Sequence, residues 1–329
     1  MRQPMDRNLA FELVRVTEAA ALAAAHWMGR GNREAADQAA VDAMRFALHS
    51  VDMDGIVVIG EGEKDEAPML YNGEQVGNGV APLVDVAVDP VDGTTLLAKG
   101  LDNAISAIAI AERGAMFNPK GIYYMNKIAV GPQARGAIDI NLSVAENLHR
   151  IAEAKGYRVE DLTVVVLDRD RHSQLVQQIR EVGSRIRMIS HGDIAGGLMP
   201  ALEDTGIDVL MGIGGAPEAV ITACALKCLG GELQCQAWPR NEEEKRQAEA
   251  LGMDFSRVLR LDDMVAGDDI FFAATGVTDG ELLRGVRYTA GGAKTTSLAM
   301  RARSGTMRLI ESSHNFGKLM KISSLPYQN

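Results

Sequence analysis

Three separate stretches of the chain carry carboxylates where the surrounding pattern calls for apolar residues or a turn: Asp37, then Glu61 with Glu63, then Asp89 with Asp92. Oxygen ligands of this kind suit hard divalent cations, and Mg²⁺ takes a few carboxylates together with water and substrate phosphate. With no His or Cys beside them, the carboxylates point to Mg²⁺ or Mn²⁺ and away from zinc. Two such ions would suit phosphoryl transfer to water.

The segment Val88-Asp89-Pro90-Val91-Asp92-Gly93-Thr94-Thr95 is the most specific of these features. A strand end would present Asp89, Pro90 would stiffen and stop the strand, and Asp92-Gly93 would turn the chain, leaving the main-chain oxygen of Val91 as a further ligand. Thr94 and Thr95 fall where a helix can begin, so that backbone N–H groups meet a phosphate and a hydroxyl orients an attacking water. An isolated Asp-Gly is equally a hairpin signal. The company of Glu61-Gly62-Glu63 at another strand end favours the site.

Two further stretches add anion-binding character. Arg169 and Arg171 directly follow an apolar run and can fork onto a phosphate, although a surface charge pair would look the same. Gly212 to Glu218 is a Gly-rich turn in which Pro217 opens a helix, with Glu218 either a ligand or a partner of the helix dipole.

Periodicity predicts the helices and strands that carry these residues. Apolar residues recurring at three and four positions predict helices over 8–28 and 33–50, the first with Glu18 off its apolar stripe, the second capped by Asn32 and carrying Asp37 on its stripe. Short apolar runs predict strands over 56–59, 84–88, 105–110 and 122–130. Beyond residue 160 strands over 163–167, 185–189, 207–211 and 270–274 alternate with helices over 172–182 and 217–229, the signature of an α/β sheet. An antiparallel run over 282–310 completes the chain, and 241–249 reads as a solvated charged helix. Residues 1–160 are expected to form a metal-binding lobe and 161–329 an α/β substrate-binding lobe, as two domains or as one continuous unit with two lobes.

Composition narrows the class. Thirty-four basic against 44 acidic residues leave a net charge of −10, which argues against a nucleic-acid partner. No apolar run approaches the roughly 20 residues of a membrane span, and no secretion signal opens the chain, so a cytoplasmic address is expected. Cys224, Cys228 and Cys235 lie in apolar surroundings and read as reduced core thiols.

Asp-Pro-Val-Asp-Gly-Thr at 89–94, preceded by an acidic strand end, resembles the metal-binding signature of the inositol monophosphatase and fructose bisphosphatase superfamily. A closer resemblance, to the class II bacterial fructose-1,6-bisphosphatases, covers nearly the whole chain. It includes Arg15-Val16-Thr17-Glu18, Gly29-Arg30-Gly31, Ala36-Asp37, residues 58–63 and 65–71, and Gly212-Ile213-Gly214-Gly215-Ala216-Pro217-Glu218. The resemblance implies a layered α/β sandwich, a sugar phosphatase fold of alternating helix and sheet layers. It implies a gluconeogenic hydrolase that converts fructose 1,6-bisphosphate to fructose 6-phosphate and phosphate, and a homodimer or homotetramer. It further implies that Asp37, Glu61, Asp89, Asp92 and Glu218 bind metal and that Thr94 helps activate water; Asp37 and Glu63 are the two candidates to take the proton. Around the sugar phosphate it places Asp92, Gly93, Thr94, Tyr124, Arg169, Asp170, Arg171, Gly192, Asp193 and Gly215, with His191 beside them.

Three positions depart from the family pattern, the first at a metal position and the other two around that pocket. Asp92 stands where many relatives carry Glu, Asp170 where a proline is common, and His191 where an Asp is common. Such changes bear on which hydroxyls are held. His172 is read as a capping or core histidine. A sedoheptulose-1,7-bisphosphatase, an inositol monophosphatase and a non-catalytic sugar-phosphate sensor are the competing readings.

Overall fold

The computed structural model describes residues 8–60, 70–119 and 121–321. In chain order the elements are α1 (Ala10–Ala25), α2 (Arg33–Leu48), β1 (Asp54–Ile59), β2 (Gln75–Val76), β3 (Leu83–Asp92), α3 (Thr94–Lys99), β4 (Ile105–Glu112) and β5 (Tyr124–Val130). Then come α4 (Val144–Lys155), β6 (Thr163–Leu167), α5 (Ser173–Val182), β7 (Arg185–Ile189), α6 (Asp193–Leu198), β8 (Val209–Gly215), α7 (Ala216–Leu229) and β9 (Glu232–Trp238). The last are α8 (Glu242–Ala250), β10 (Val258–Arg260), α9 (Leu261–Met264), β11 (Phe271–Gly276), β12 (Arg287–Thr289), β13 (Gly292–Arg301), β14 (Thr306–Asn315) and α10 (Phe316–Leu319).

Two sheets result. The first runs β12-β13-β11-β4-β3-β1-β2, with β14 also on β13, and is antiparallel except between β1 and β3. The second runs β10-β9-β5-β8-β6-β7, parallel only among β8, β6 and β7. Thus β5 to β10 form one sheet, and the chain returns with β11 to β14 to the other.

Strand alternation dictates the layering. In β4, Ile108 and Ile110 point to a core shared with α1 and α2, while Ala107, Ala109 and Ala111 point to a core shared with α6 and α7. In β6, Val165 and Leu167 join that same central core, whereas Val164 and Val166 face α4 and α5. The order is therefore helix, sheet, helix, sheet, helix, the layered α/β sandwich expected from the sequence. The small alanines on the inner face of β4 let α7 approach closely, and α7 is buried nearly all round.

Several local expectations change. Pro90 does not stop its strand: β3 continues to Asp92, and its pairing with β4 shifts between Asp89↔Ala107 and Asp92↔Ile105. Three steps along β3 match two along β4, so one residue is extra, and a bulge is where a proline without an N–H can sit. Glu18 is buried, not solvated, and accepts a hydrogen bond from Thr295 at 3.0 Å. Asn32 caps α2 as expected, accepting from the Ala35 N–H at 3.0 Å. All three cysteines are buried and unbridged, and burial pushes the Cys228 and Cys235 thiols up to about 12. Among the described residues, no helix is long and apolar enough to cross a membrane.

Candidate active site

The bulge in β3 decides where the chemistry lies. In an unbroken strand Asp89 and Asp92 would point to opposite faces, because the side-chain period is two. The extra residue resets the phase, and both carboxylates line one cavity of about 590 Å³. Gly93 then takes a left-handed conformation (φ 100°), which suits glycine, and caps α3, so that Thr94 and Thr95 open a helix at the cavity wall.

Other elements complete the wall. Asp37 comes from α2, and Glu218 from the first turn of α7. Tyr124 comes from the start of β5, Arg169 and Arg171 from the turn after β6, and His191, Gly192 and Asp193 from the entry to α6. Gly215 caps α7. Of the residues expected at the site, the structure thus brings together Asp37, Asp89, Asp92, Gly93, Thr94, Tyr124, Arg169, Arg171, His191, Gly192, Asp193, Gly215 and Glu218. Asp170 is not among the lining residues: it is exposed in the single turn Asp170–His172, where its carbonyl accepts from the Ser173 hydroxyl at 2.8 Å. Glu61 and Glu63 lie outside the described residues.

The acidic side is electrostatically loaded. Asp92 is buried, and its carboxylate accepts from the Ile194 N–H in the first turn of α6 at 3.0 Å. Burial, then the neighbouring Glu218 and Asp193, push its carboxyl up to about 8. Burial likewise raises Glu218. Carboxylates crowded out of water raise one another's pKa, and a divalent cation relieves that repulsion. The acidic side chains offer only oxygen atoms, the donors that hard divalent cations favour. Among the described residues, no three His, Cys, Asp or Glu side chains form a closed coordination group by themselves.

The basic side is braced by backbone. Arg171 donates to the Ile213 carbonyl at 2.8 and 3.3 Å, with its guanidinium 4.9 Å from the centre of the Tyr124 ring, a cation–π contact. Tyr124 in turn meets Trp238 edge-on at 6.3 Å. Arg169 donates to the Asp168 carbonyl at 2.7 Å and lies 3.3 Å from His191 Nδ1. His191 is lowered by burial and then by Arg169, Arg33 and Lys99, so its neutral ring accepts from Arg169. His172, read as a core or capping histidine, is 1% exposed and is held between the Leu167 carbonyl and the Ile213 N–H.

Arg33, Glu34 and Lys127 are not among the residues expected at the site from the sequence. Arg33 and Glu34 line the cavity one turn before Asp37, and the spacing of four between Arg33 and Asp37 on one helix was the available signal. Lys127 lies beneath the wall, 2% exposed, ion-paired to Asp193 and donating to the Gly215 carbonyl at 3.0 Å.

Residues 7–314 match the family model described as bacterial fructose-1,6-bisphosphatase, glpX-encoded. The chain belongs to this family. A class 2 fructose-1,6-bisphosphatase of Haemophilus influenzae is 45% identical, covering 98% of this chain and 100% of the relative. Fructose-1,6-bisphosphatase 1 class 2 of Escherichia coli is 44% identical, covering 94% and 96%. A protein of Synechococcus, named D-fructose 1,6-bisphosphatase class 2/sedoheptulose 1,7-bisphosphatase, is 44% identical over the same shares, 94% and 96%. As a member of the glpX-type fructose-1,6-bisphosphatases, the chain is a phosphoric monoester hydrolase that releases phosphate from fructose 1,6-bisphosphate, a reaction of gluconeogenesis.

Proposed function

We propose that this cavity hydrolyses the 1-phosphate of fructose 1,6-bisphosphate, leaving fructose 6-phosphate, with Mg²⁺ or Mn²⁺ held by Asp37, Glu61, Asp89, Asp92 and Glu218. The observation that carries this reading is that four of these carboxylates, Thr94 and two arginines line one cavity. Bound there, the cations would neutralise the phosphoryl oxygens and the leaving alkoxide and make water more acidic.

The remaining steps fall to the chain's own groups. The Thr94 hydroxyl orients the attacking water in line with the departing oxygen, and Asp37 or Glu63 accepts its proton. Gly93 lets the backbone at the start of α3 approach the transferred group. Arg169 and Arg171, each already anchored to a main-chain carbonyl, direct their guanidinium groups to the distal phosphate, so little side-chain entropy is lost on binding. Asp193 and the main chain at Gly192 and Gly215 hold the sugar, and Tyr124 supplies its apolar wall.

Sedoheptulose 1,7-bisphosphate is the second reading, favoured by the name of the Synechococcus relative. One experiment separates these. Phosphate release is measured from fructose 1,6-bisphosphate, sedoheptulose 1,7-bisphosphate and inositol 1-phosphate, with Mg²⁺, Mn²⁺ or chelator, for the wild type and Asp89→Asn. Cation-dependent release from the fructose ester, lost in Asp89→Asn, supports the assignment. Equal release from the heptulose ester makes the enzyme bifunctional, and equal release from the monophosphate removes the role of the arginines. A homodimer or homotetramer is the expected assembly, to be read by light scattering after size exclusion.

A further inference from the structure

In β5 the side chains of Met125, Lys127 and Ala129 share one face of the strand, and Met125 and Ala129 belong to the apolar core between the two sheets. An ammonium group at the position between them is costly to bury unless it is matched by charge and hydrogen bonds. Its partners belong to two different helices at the cavity. Asp193 is the first residue of α6, and Gly215 is the N-cap of α7, three residues before Glu218. The fit around the pair is close: a Cβ added at Gly214 would lie 2.8 Å from Lys127 Nζ and closer still to Asp193 Oδ2.

We propose that Lys127 is a positioning residue of the reaction, tying Asp193 and the first turn of α7 together from beneath so that Asp193 and Glu218 face the same cavity. The inference rests on the reading above, in which Asp193 contacts the sugar and Glu218 a cation. Lys127 touches neither ligand. It holds Asp193, a residue of the cavity wall, by the carboxylate oxygen Oδ2, and it holds the Gly215 carbonyl, which orients the turn that carries Glu218. The acidic groups facing it are Asp193, Glu218 and Asp92, with the Cys235 thiol on the neighbouring strand. Burial opposes its charge, but Asp193 and Glu218 more than offset this and hold the ammonium above its ordinary value.

The test is a double-mutant cycle on the full chain with Lys127→Met, Asp193→Asn and the pair, and Lys127→Gln as a milder replacement that can still donate to Asp193. KM for fructose 1,6-bisphosphate, the Mn²⁺ concentration for half activation, and Tm are read for each. Lys127→Met is expected to raise both KM and the Mn²⁺ requirement about tenfold, with Lys127→Gln between it and wild type. The pair is expected to match Asp193→Asn in KM, because Lys127 acts on the sugar through that carboxylate. Lower Tm in Lys127→Met with wild-type KM and Mn²⁺ response, while Asp193→Asn is impaired, would overturn the inference and leave the reading of Asp193 intact. Additive effects on KM would overturn it as well. If Asp193→Asn keeps wild-type KM, the sugar contact itself is wrong and the substrate half of the inference falls with it.

Discussion

The Nε2 atom of His172 accepts a hydrogen bond from the Ile213 N–H at 2.7 Å, and the neighbouring Arg171 donates to the carbonyl of the same residue at 2.8 Å. Consecutive side chains from one turn therefore hold both ends of Ile213 in β8. His172 Nδ1 meets the Leu167 carbonyl at 2.6 Å, so this nitrogen carries the proton and Nε2 is the acceptor. Burial lowers its pKa, in keeping with a neutral ring.

Replacing this histidine should therefore cost stability first. His172→Ala leaves a buried N–H and a carbonyl without their partner, a loss of about 2–3 kcal/mol, readable by urea denaturation. The sign of the pH effect follows from the lowered pKa. The unfolded chain binds the proton more readily, so this contribution is complete above the ordinary value of 6.5 and is lost as pH falls below it. Wild type should weaken relative to His172→Ala as pH is lowered from 7 to 5. Parallel pH curves for the two proteins would show that the ring does not bridge these groups.

Arg171→Lys keeps the charge but cannot both donate along an edge to Ile213 and lie over Tyr124. KM for fructose 1,6-bisphosphate should rise about tenfold, roughly 1.4 kcal/mol, with kcat less affected. Trp238, packed on Tyr124, offers a binding signal independent of turnover.

Gly215→Ala tests the acidic side without removing a carboxylate. A Cβ at this position would collide with the carboxylate of Glu218, which is the free end of a side chain and can swing aside. The fold should persist, with Tm within a few degrees, while the Mn²⁺ concentration for half activation rises at least about tenfold. An unchanged Mn²⁺ response would remove Glu218 from the cation site.

Asp92 gives the cation-free protein a pH dependence of the opposite sense to His172. Its carboxyl is raised by burial, then by Glu218 and Asp193, from 3.8 to about 8, so the folded chain holds a proton that the unfolded chain has released. Stability in chelator should fall as pH rises through that window, and Asp92→Asn should flatten the slope. Adding Mn²⁺ near pH 7 should release protons, seen as a buffer-dependent binding enthalpy that Asp92→Asn reduces.

Much of this was legible from residue order. The helices carrying Asp37 and Glu218 and most strands follow from apolar periodicity, and the 89–94 segment marked the site. Other parts escaped for specific reasons. Pro90 predicts a strand end because proline cannot join a central ladder, yet a bulge accommodates it. Helix α4 is absent from the elements expected by apolar periodicity, although Ser143 and Glu146 announce it with a capping box. Lys127 follows no local rule: its partners, Asp193 and Gly215, are brought to it only when β5 pairs with β8 and α6 folds over them. Glu18 lies off the apolar stripe of its helix, and its burial depends on Thr295, far along the chain, which donates to it.

Burial of α7 on nearly every side has a mechanical consequence. A surface helix can tilt or slide at small cost, but this one is wedged between two sheets, and close-packed interiors yield little. The backbone turn bearing Glu218 thus behaves as a fixed jaw, so that in the proposed cation site adjustment to an ion of different radius falls to side-chain rotation and not to movement of this helix. In the proposed cation site, selection among divalent ions becomes a question of compliance, with one donor carried by a helix enclosed between two sheets.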